Sequence, residues 1–137
     1  MKTGILALGG VIALALPVAA NGETAAVMRG GDDYKISFVL RTFNGEPTEL
    51  KRFRFRKLNV TCDGGTVIEV RGRIRSIPIN DRNKFRTVLR RGAKVVRVKG
   101  KVSGDLDTVR GVIRARGDYG PTAQNCDSGR VRWRAQV

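Results

Sequence analysis

The basic residues of this chain recur at alternate positions in five short segments. The alternation is unbroken in the run from Arg130 to Arg134 and has one gap, at Val112, in the run from Arg110 to Arg116. Because successive side chains of a β-strand point to opposite faces, each segment would present its charges on one face. Arginine binds phosphate and sulfate through paired hydrogen bonds, so these faces are candidate sites for an anionic polymer. The fifteen candidate polyanion-binding residues are Arg52, Arg54, Arg56, Arg71, Arg73, Arg75, Arg97, Lys99, Lys101, Arg110, Arg114, Arg116, Arg130, Arg132 and Arg134.

Two interpretations of these charged faces stay open. If the strands are neighbours, like charges opposite each other destabilise the sheet by up to about 1 kcal/mol per pair, and a bound anion would offset that cost. If the strands are divided between the outer surfaces of a sandwich, each face is an ordinary solvated surface that discourages edge-to-edge aggregation. The strand order cannot be read from the sequence, so nothing in the sequence requires the basic strands to be neighbours. We therefore expect the second interpretation. Phe53, Phe55 and Trp133 have the opposite parity to the arginines and are predicted to fill the core.

Side chains that carry catalysis or bind metals are scarce. The chain has no histidine, which excludes Ser-His-Asp and Cys-His arrangements and imidazole metal sites. The nearest carboxylate pair for glycosidase-type chemistry is Asp105 with Asp107, but its place beside Gly104 is typical of a solvated turn. The sequence therefore predicts no catalytic residue, no metal site and no cofactor, and favours a protein that is not an enzyme.

The two cysteines, Cys62 and Cys126, are predicted to form a structural disulfide. Their number is even, no Cys-x-x-Cys motif is present, and no histidine could complete a metal site with them. An exported chain also meets the oxidising conditions in which disulfides persist.

The N-terminus has the three parts of a secretory signal peptide. Lys2 provides the positive start, an apolar run extends from Ile5 to Leu16, and small residues precede a cleavage point after Ala20. The run is shorter than the roughly 20 apolar residues that span a bilayer. We therefore expect residues 1–20 to be removed and the mature protein to be secreted or otherwise extracytoplasmic, without a membrane span.

The mature chain is strongly basic. Lys2 is the only charged residue of the predicted signal peptide, so 26 of the 27 basic and all 12 acidic side chains remain, a net charge of +14. Such a charge predicts attraction to nucleic acid, wall polymers or anionic surfaces. The same net charge is equally expected of a protein whose basic residues only keep it soluble.

The elements that must position these residues are predicted to be strands. Residues 21–33 are predicted to form a flexible leader, whereas residues 34–137 alternate apolar and polar positions between turns rich in Gly, Asn and Asp. The alternation changes phase near Arg56-Lys57, which predicts a β-bulge or a strand that changes sheets. The sequence thus predicts one all-β domain, an antiparallel β-sandwich or closed barrel of about 7–9 short strands with one disulfide.

The C-terminal segment resembles the ending of small secreted actinobacterial β-domains. That ending has a Cys, a Ser/Thr-Gly pair and Val-x-Trp-x-Ala, and here the run from Cys126 to Ala135 matches it. The segments Ile36 to Val39 and Leu58 to Cys62 also fit. The resemblance implies the fold, export, the cysteine pair and Trp133 as a core anchor, and it implies no activity. This chain departs from the pattern in being richer in arginine.

Three functional hypotheses follow. The first is a secreted, non-catalytic module that binds an anionic polymer, either a cell-wall polymer or nucleic acid, through its arginine-rich faces. The second is a structural or protein-interaction domain of the cell envelope whose charge only confers solubility; its partner protein is not identified by the sequence. The third, which the scarcity of catalytic residues disfavours, is a small hydrolase.

Overall fold

The computed structural model describes residues 22–31 and 35–137, which form nine β-strands and one short 3₁₀ turn at Asp63–Gly65. The predicted signal peptide, residues 1–20, lies outside the described residues. The strands are β1 (Glu23–Gly30), β2 (Lys35–Phe43), β3 (Glu46–Thr61), β4 (Val67–Pro78), β5 (Lys84–Arg91), β6 (Lys94–Val102), β7 (Thr108–Gly117), β8 (Cys126–Asp127) and β9 (Val131–Gln136).

Six of these strands close into an antiparallel barrel. Around the barrel the order is β9, β1, β2, β3, β8 and β7, and β7 pairs in turn with β9. Three further strands extend it, because β4 pairs with β3, β6 with β7, and β5 with β6. An isolated bridge between Ile79 and Phe85 joins the chain just after β4 to β5. The all-β prediction is confirmed, and of the two predicted architectures the chain forms the barrel.

The predicted flexible leader over residues 21–33 is wrong for Glu23–Gly30, which form β1. This strand pairs along its whole length with β2, and its last two residues pair with β9, so it is a member of the barrel. Its buried face is formed by small residues apart from Met28, which is fully buried. The apolar alternation is therefore too weak to be seen in the sequence, and pairing with two neighbouring strands decides the conformation.

The β2–β3 hairpin has the turn that its sequence favours. Asn44 and Gly45 both have positive φ, 51° and 80°. That combination is required by the two-residue type I′ turn, whose twist matches the strands on either side.

The register of β3 with its neighbours shifts at three places, and at two of them a bulge residue has a positive φ. The predicted change of phase near Arg56-Lys57 is confirmed as a bulge, because the register with β4 shifts between Phe55 and Leu58 and Lys57 has a φ of 57°. A second bulge lies at Arg52, where φ is 53° and the register with β2 shifts. The extra residues allow one long strand to curve around the barrel.

The inward side chains form one hydrophobic core with an aromatic centre. The ring centroid of Trp133 lies 5.8 Å from that of Phe38, 5.6 Å from that of Phe53 and 6.1 Å from that of Phe85. All four rings are at most 4% exposed. Each such pair contributes about 0.5–1.5 kcal/mol beyond the burial of its area. The prediction that Phe53 and Trp133 fill the core is confirmed.

A pair of glycines lets two of these rings pack across the strands. Gly100 of β6 and Gly111 of β7 are direct partners in the register. A Cβ atom at Gly100 would lie 2.5 Å from Cζ of Phe85, and one at Gly111 would lie 2.4 Å from Cζ2 of Trp133. The two rings therefore occupy the volume that side chains at these positions would need.

The predicted disulfide between Cys62 and Cys126 is confirmed. Cys62 directly follows β3 and Cys126 begins β8, so the bond holds the two-residue β8 where Thr61 pairs with Asp127. Because β8 also pairs with the end of β7, the disulfide lies where the barrel closes.

Removing the disulfide is expected to lower the free energy of unfolding by roughly 4 kcal/mol in the chain-entropy account of such bonds. The bond joins residues 64 positions apart, so the reduced unfolded chain gains considerable freedom. Urea unfolding of Cys62→Ser/Cys126→Ser, followed by the fluorescence of Trp133, measures the loss. Reductant should weaken the wild type and leave the variant unaffected. A variant as stable as the oxidised wild type would contradict the expectation.

Substituting Gly111 by alanine is expected to cost about 1–3 kcal/mol, because the new methyl group overlaps the Trp133 ring in a closely packed core. Gly104→Ala is the matched control, since a Cβ atom there meets no atom within 4 Å. Urea unfolding of the two variants gives the comparison. Equal stabilities would show that the glycine is not needed for packing the tryptophan.

Candidate anion-binding groove

The strand order brings three of the five predicted basic segments together. β6, β7 and β9 are neighbours, and β5 lies on the far side of β6. Lys84 pairs with Lys101, Lys101 with Arg110, and Arg110 with Arg134. Four cations thus form one rank across four strands, which we call the first rank. The alternative in which the basic strands are divided between two surfaces does not hold for these segments.

A second rank of basic residues runs parallel to the first, two residues further along each strand. Arg86 pairs with Lys99, Lys99 with Val112, and Val112 with Arg132. The second rank thus has three cations and one valine. Two residues of a strand span about 7 Å, so the two ranks are separated by about that distance.

An open groove of about 1040 Å³ lies between the two ranks. Its floor follows the paired row Phe85, Gly100, Gly111 and Trp133. Because the side chains of Phe85 and Trp133 are buried in the core, this row presents backbone to the outer face. One end of the groove is lined by Pro78, the last residue of β4, and by residues 79 and 80, which follow it.

The charged side chains that line the groove in the described part of the chain all have the same sign. Seven of the described residues that line it are basic and none is acidic. All seven cations are exposed. Six of them form no ion pair with any described residue; they are Lys84, Arg86, Lys99, Lys101, Arg110 and Arg134. Two unit charges 4 Å apart repel by about 1 kcal/mol even in water, so an anion bound between the ranks would relieve a cost of the unbound state.

The apolar part of the groove is aliphatic. Gly100, Gly111, Val112 and Pro78 contribute to its lining together with the stems of the lysines and arginines. The aromatic residues of the floor, Phe85 and Trp133, are only 4% and 3% exposed. The groove can therefore bind oxyanions and pack against an aliphatic chain, but it offers no aromatic surface on which a base could stack.

An acidic residue of β8 contacts two of the three arginines in the basic segment of β7. Arg114 donates from Nε to Oδ1 of Asp127 at 3.0 Å and from Nη2 to Oδ2 at 2.6 Å. Nε of Arg116 lies 3.8 Å from the same carboxylate. The hydrogen bonds from Arg114 lower the pKa of Asp127 to about 2, and they also raise the pKa of Arg114. Arg110 therefore belongs to the groove, whereas Arg114 is neutralised by Asp127 within the protein and Arg116 shares the same carboxylate at a longer distance.

The remaining predicted residues lie outside the groove. Arg97 lines a smaller cavity of about 300 Å³ with Arg116 and Asp127. Arg130 is exposed one residue before β9 begins. Six arginines lie on the barrel strand β3 and on its neighbour β4, away from the groove; they are Arg52, Arg54, Arg56, Arg71, Arg73 and Arg75. Of the fifteen candidates, the groove thus contains five, which are Lys99, Lys101, Arg110, Arg132 and Arg134.

Two cations of the groove, Lys84 and Arg86, were not among the sequence-based candidates. They flank Phe85 with the same alternation as the other basic segments, so the signal was present. This alternation includes only two charges. It indicates a shared basic surface only when β5 is known to pair with β6.

Asp105, one of the two carboxylates of the candidate catalytic pair, stabilises a turn. Oδ1 of Asp105 accepts hydrogen bonds from Oγ of Ser103 at 2.6 Å and from the backbone N–H of Asp107 at 3.1 Å. These bonds lower the pKa of Asp105, with Ser103 the larger cause, so this carboxylate is ionised at neutral pH. In the described part of the chain, no cluster of three or more His, Cys, Asp or Glu residues could hold a metal ion.

Comparison with protein-family models, with curated proteins and with solved structures finds no match to this chain. Over residues 22–31 and 35–137, no helix has the length and hydropathy to cross a bilayer.

Asp127→Asn is expected to remove a pH dependence of stability between about pH 4 and pH 2. The folded protein keeps this carboxylate ionised down to a pKa of about 2, whereas its ordinary pKa is 3.8. Its stabilising effect is therefore complete above the ordinary pKa and is lost as the pH falls through about 2. Urea unfolding across this pH range should show a shallower decline for the variant than for the wild type.

The control for this experiment is Asp107→Asn, which removes an exposed carboxylate that forms no ion pair with a described residue. It should follow the wild-type pH profile. A profile for Asp127→Asn that parallels the wild type would mean that the pair with Arg114 does not stabilise the fold.

Proposed function

We propose that this protein is an exported, non-catalytic β-barrel module that binds a linear anionic polymer in the groove formed by β5, β6, β7 and β9. The observation that carries the proposal is the alignment of two ranks of cations on either side of a backbone floor, with no acidic residue among the described lining residues. Because cations line both sides, an anionic group can be bound at any point along the groove.

The shape of the groove favours a chain over a small anion. Neighbouring strands are about 4.8 Å apart, so four strands present cations over about 14 Å. A single phosphate could reach only the nearest members of the two ranks. A flexible polymer with closely spaced phosphate or sulfate groups could contact the first rank, Lys84, Lys101, Arg110 and Arg134, at successive groups.

The aliphatic lining favours a polymer without bases. Proteins that bind single-stranded nucleic acid combine basic grooves with exposed aromatic rings, and here Phe85 and Trp133 face the core. A phosphate-rich or sulfated polymer of the cell envelope fits better than nucleic acid. The predicted signal peptide and the disulfide are both compatible with an extracytoplasmic location.

Neutralising two paired cations of the first rank is expected to weaken binding and reduce its dependence on salt. In Lys101→Gln/Arg110→Gln, two neighbouring contacts with the polymer are lost. Because each phosphate contact contributes about 0.7–0.9 to the slope of log K against log salt, the slope should fall by about 1.4–1.8. Titration of long-chain inorganic polyphosphate at several salt concentrations, followed by fluorescence anisotropy of a labelled chain, gives both quantities.

The matched control is Arg90→Gln/Arg91→Gln, which removes the same charge at the β5–β6 turn, away from the groove lining. It should retain the affinity and nearly the full slope. If both variants weaken binding equally, the net charge rather than the groove is responsible. If the wild type does not bind polyphosphate or heparin at low salt, the charge only confers solubility and the second hypothesis, a structural or protein-interaction domain, is correct.

Competition separates the polymer classes. Unlabelled polyphosphate and heparin should displace the labelled chain according to their charge density. Single-stranded DNA of equal charge should compete no better than these base-free polymers. Stronger competition by DNA would show that nucleic acid is the preferred ligand.

A further inference from the structure

A second basic surface, which we call the back face, lies on β3 and β4. It consists of six exposed arginines, three from each strand. Arg54 and Arg73 are direct partners in the register. Arg52, which is the bulge residue, and Arg75 lie two residues to one side of this pair along the strands. Arg56 and Arg71 lie two residues to the other side, next to the Lys57 bulge. The back-face residues are Arg52, Arg54, Arg56, Arg71, Arg73 and Arg75.

The back-face arginines are not neutralised within the described part of the chain. None of them forms an ion pair with a described residue. The acidic residues of the same two strands, Glu46, Glu49 and Glu69, lie towards the strand ends. Glu49 accepts a hydrogen bond from Oγ of Ser76 at 2.6 Å, and Glu69 is the register partner of Asn59. Like charges opposite each other on paired strands repel, so the back face, like the groove, would be stabilised by a bound anion.

The back face also borders a cavity suited to an oxyanion. This cavity of about 360 Å³ is lined by Arg54 and Arg56 of β3, by Lys35 at the start of β2 and by Arg29 of β1. No acidic side chain is among its described lining residues. Lys35 is the register partner of Arg56, so these cations converge from neighbouring strands.

The groove and the back face point in opposite directions. In the closed six-stranded barrel, β3 is three steps from β9 whether the barrel is followed through β1 and β2 or through β7 and β8. Strands three steps apart in a ring of six lie across the barrel from each other. The outward arginines of β3 therefore point away from those of β9, and one extended chain cannot lie along both surfaces at the same time.

We infer that the protein binds two polymer chains at once, one in the groove and one on the back face, and thereby cross-links anionic polymers. This inference rests on the proposed function, since it requires that the groove binds such a chain. It adds a second binding site and an activity, bridging, that a protein with a single basic surface would not have as a monomer.

A sandwich capture experiment tests the inference. Polyphosphate is immobilised on beads, the protein is bound and washed, and a fluorescent polyphosphate chain is then added. The wild type should capture the second chain. The groove variant Lys101→Gln/Arg110→Gln/Arg134→Gln and the back-face variant Arg54→Gln/Arg56→Gln/Arg73→Gln should each still bind the beads through the remaining surface. Each should capture at least about five-fold less of the second chain, because only one basic surface remains intact.

A charge-matched variant at the β5–β6 turn, Arg90→Gln/Arg91→Gln/Lys94→Gln, lies away from both surfaces and should bind and capture like the wild type. Sedimentation of the unbound protein establishes whether it is a monomer. If the wild type binds the beads and captures no second chain, bridging is wrong while the proposed function stands. If it does not bind the beads, the proposed function itself fails. If either the groove variant or the back-face variant captures as well as the wild type, bridging does not require two faces and the inference is overturned.

Discussion

The packing of two aromatic rings over two glycines is the constraint on which the basic groove depends. Phe85 and Trp133 reach across β6 and β7 only because Gly100 and Gly111 have no side chains. This contact aligns four strands at one row of the sheet. Because successive residues alternate between faces, the same alignment places the neighbouring basic residues in two ranks on the outer face. The register of the core thus determines the geometry of the surface charge.

A second constraint is the closure of the barrel by the two-residue β8. The disulfide holds Cys126 to the end of β3, and Asp127 pairs with Thr61 and Arg116 through the backbone. The side chain of the same aspartate neutralises Arg114 of β7 and lies within 3.8 Å of Arg116. One short strand therefore closes the barrel and offsets one positive charge of a strongly basic surface. What remains is a groove and a back face rather than a uniform coating of charge.

Much of the local structure could be predicted from the sequence, and much of the site could not. The alternation of apolar and basic residues identified nearly all the strands, and the phase change at Arg56-Lys57 identified a bulge. β1 was missed because its inward residues are mostly small, so its place depends on backbone pairing with β2 and β9. Lys84 and Arg86 were missed because two alternating charges carry little signal until their strand has a neighbour.

The sequence by itself determined which residues face outward, because strand alternation and hydrophobicity act over a few neighbouring positions. It also determined the cysteine pair, since only two cysteines are present. Only the tertiary structure decided which basic faces meet. The order β5, β6, β7 and β9 depends on contacts between residues distant in the chain, such as Gly111 with Trp133. The arginines of β3 and β9 have the same local pattern, yet closure of the barrel turns them away from each other.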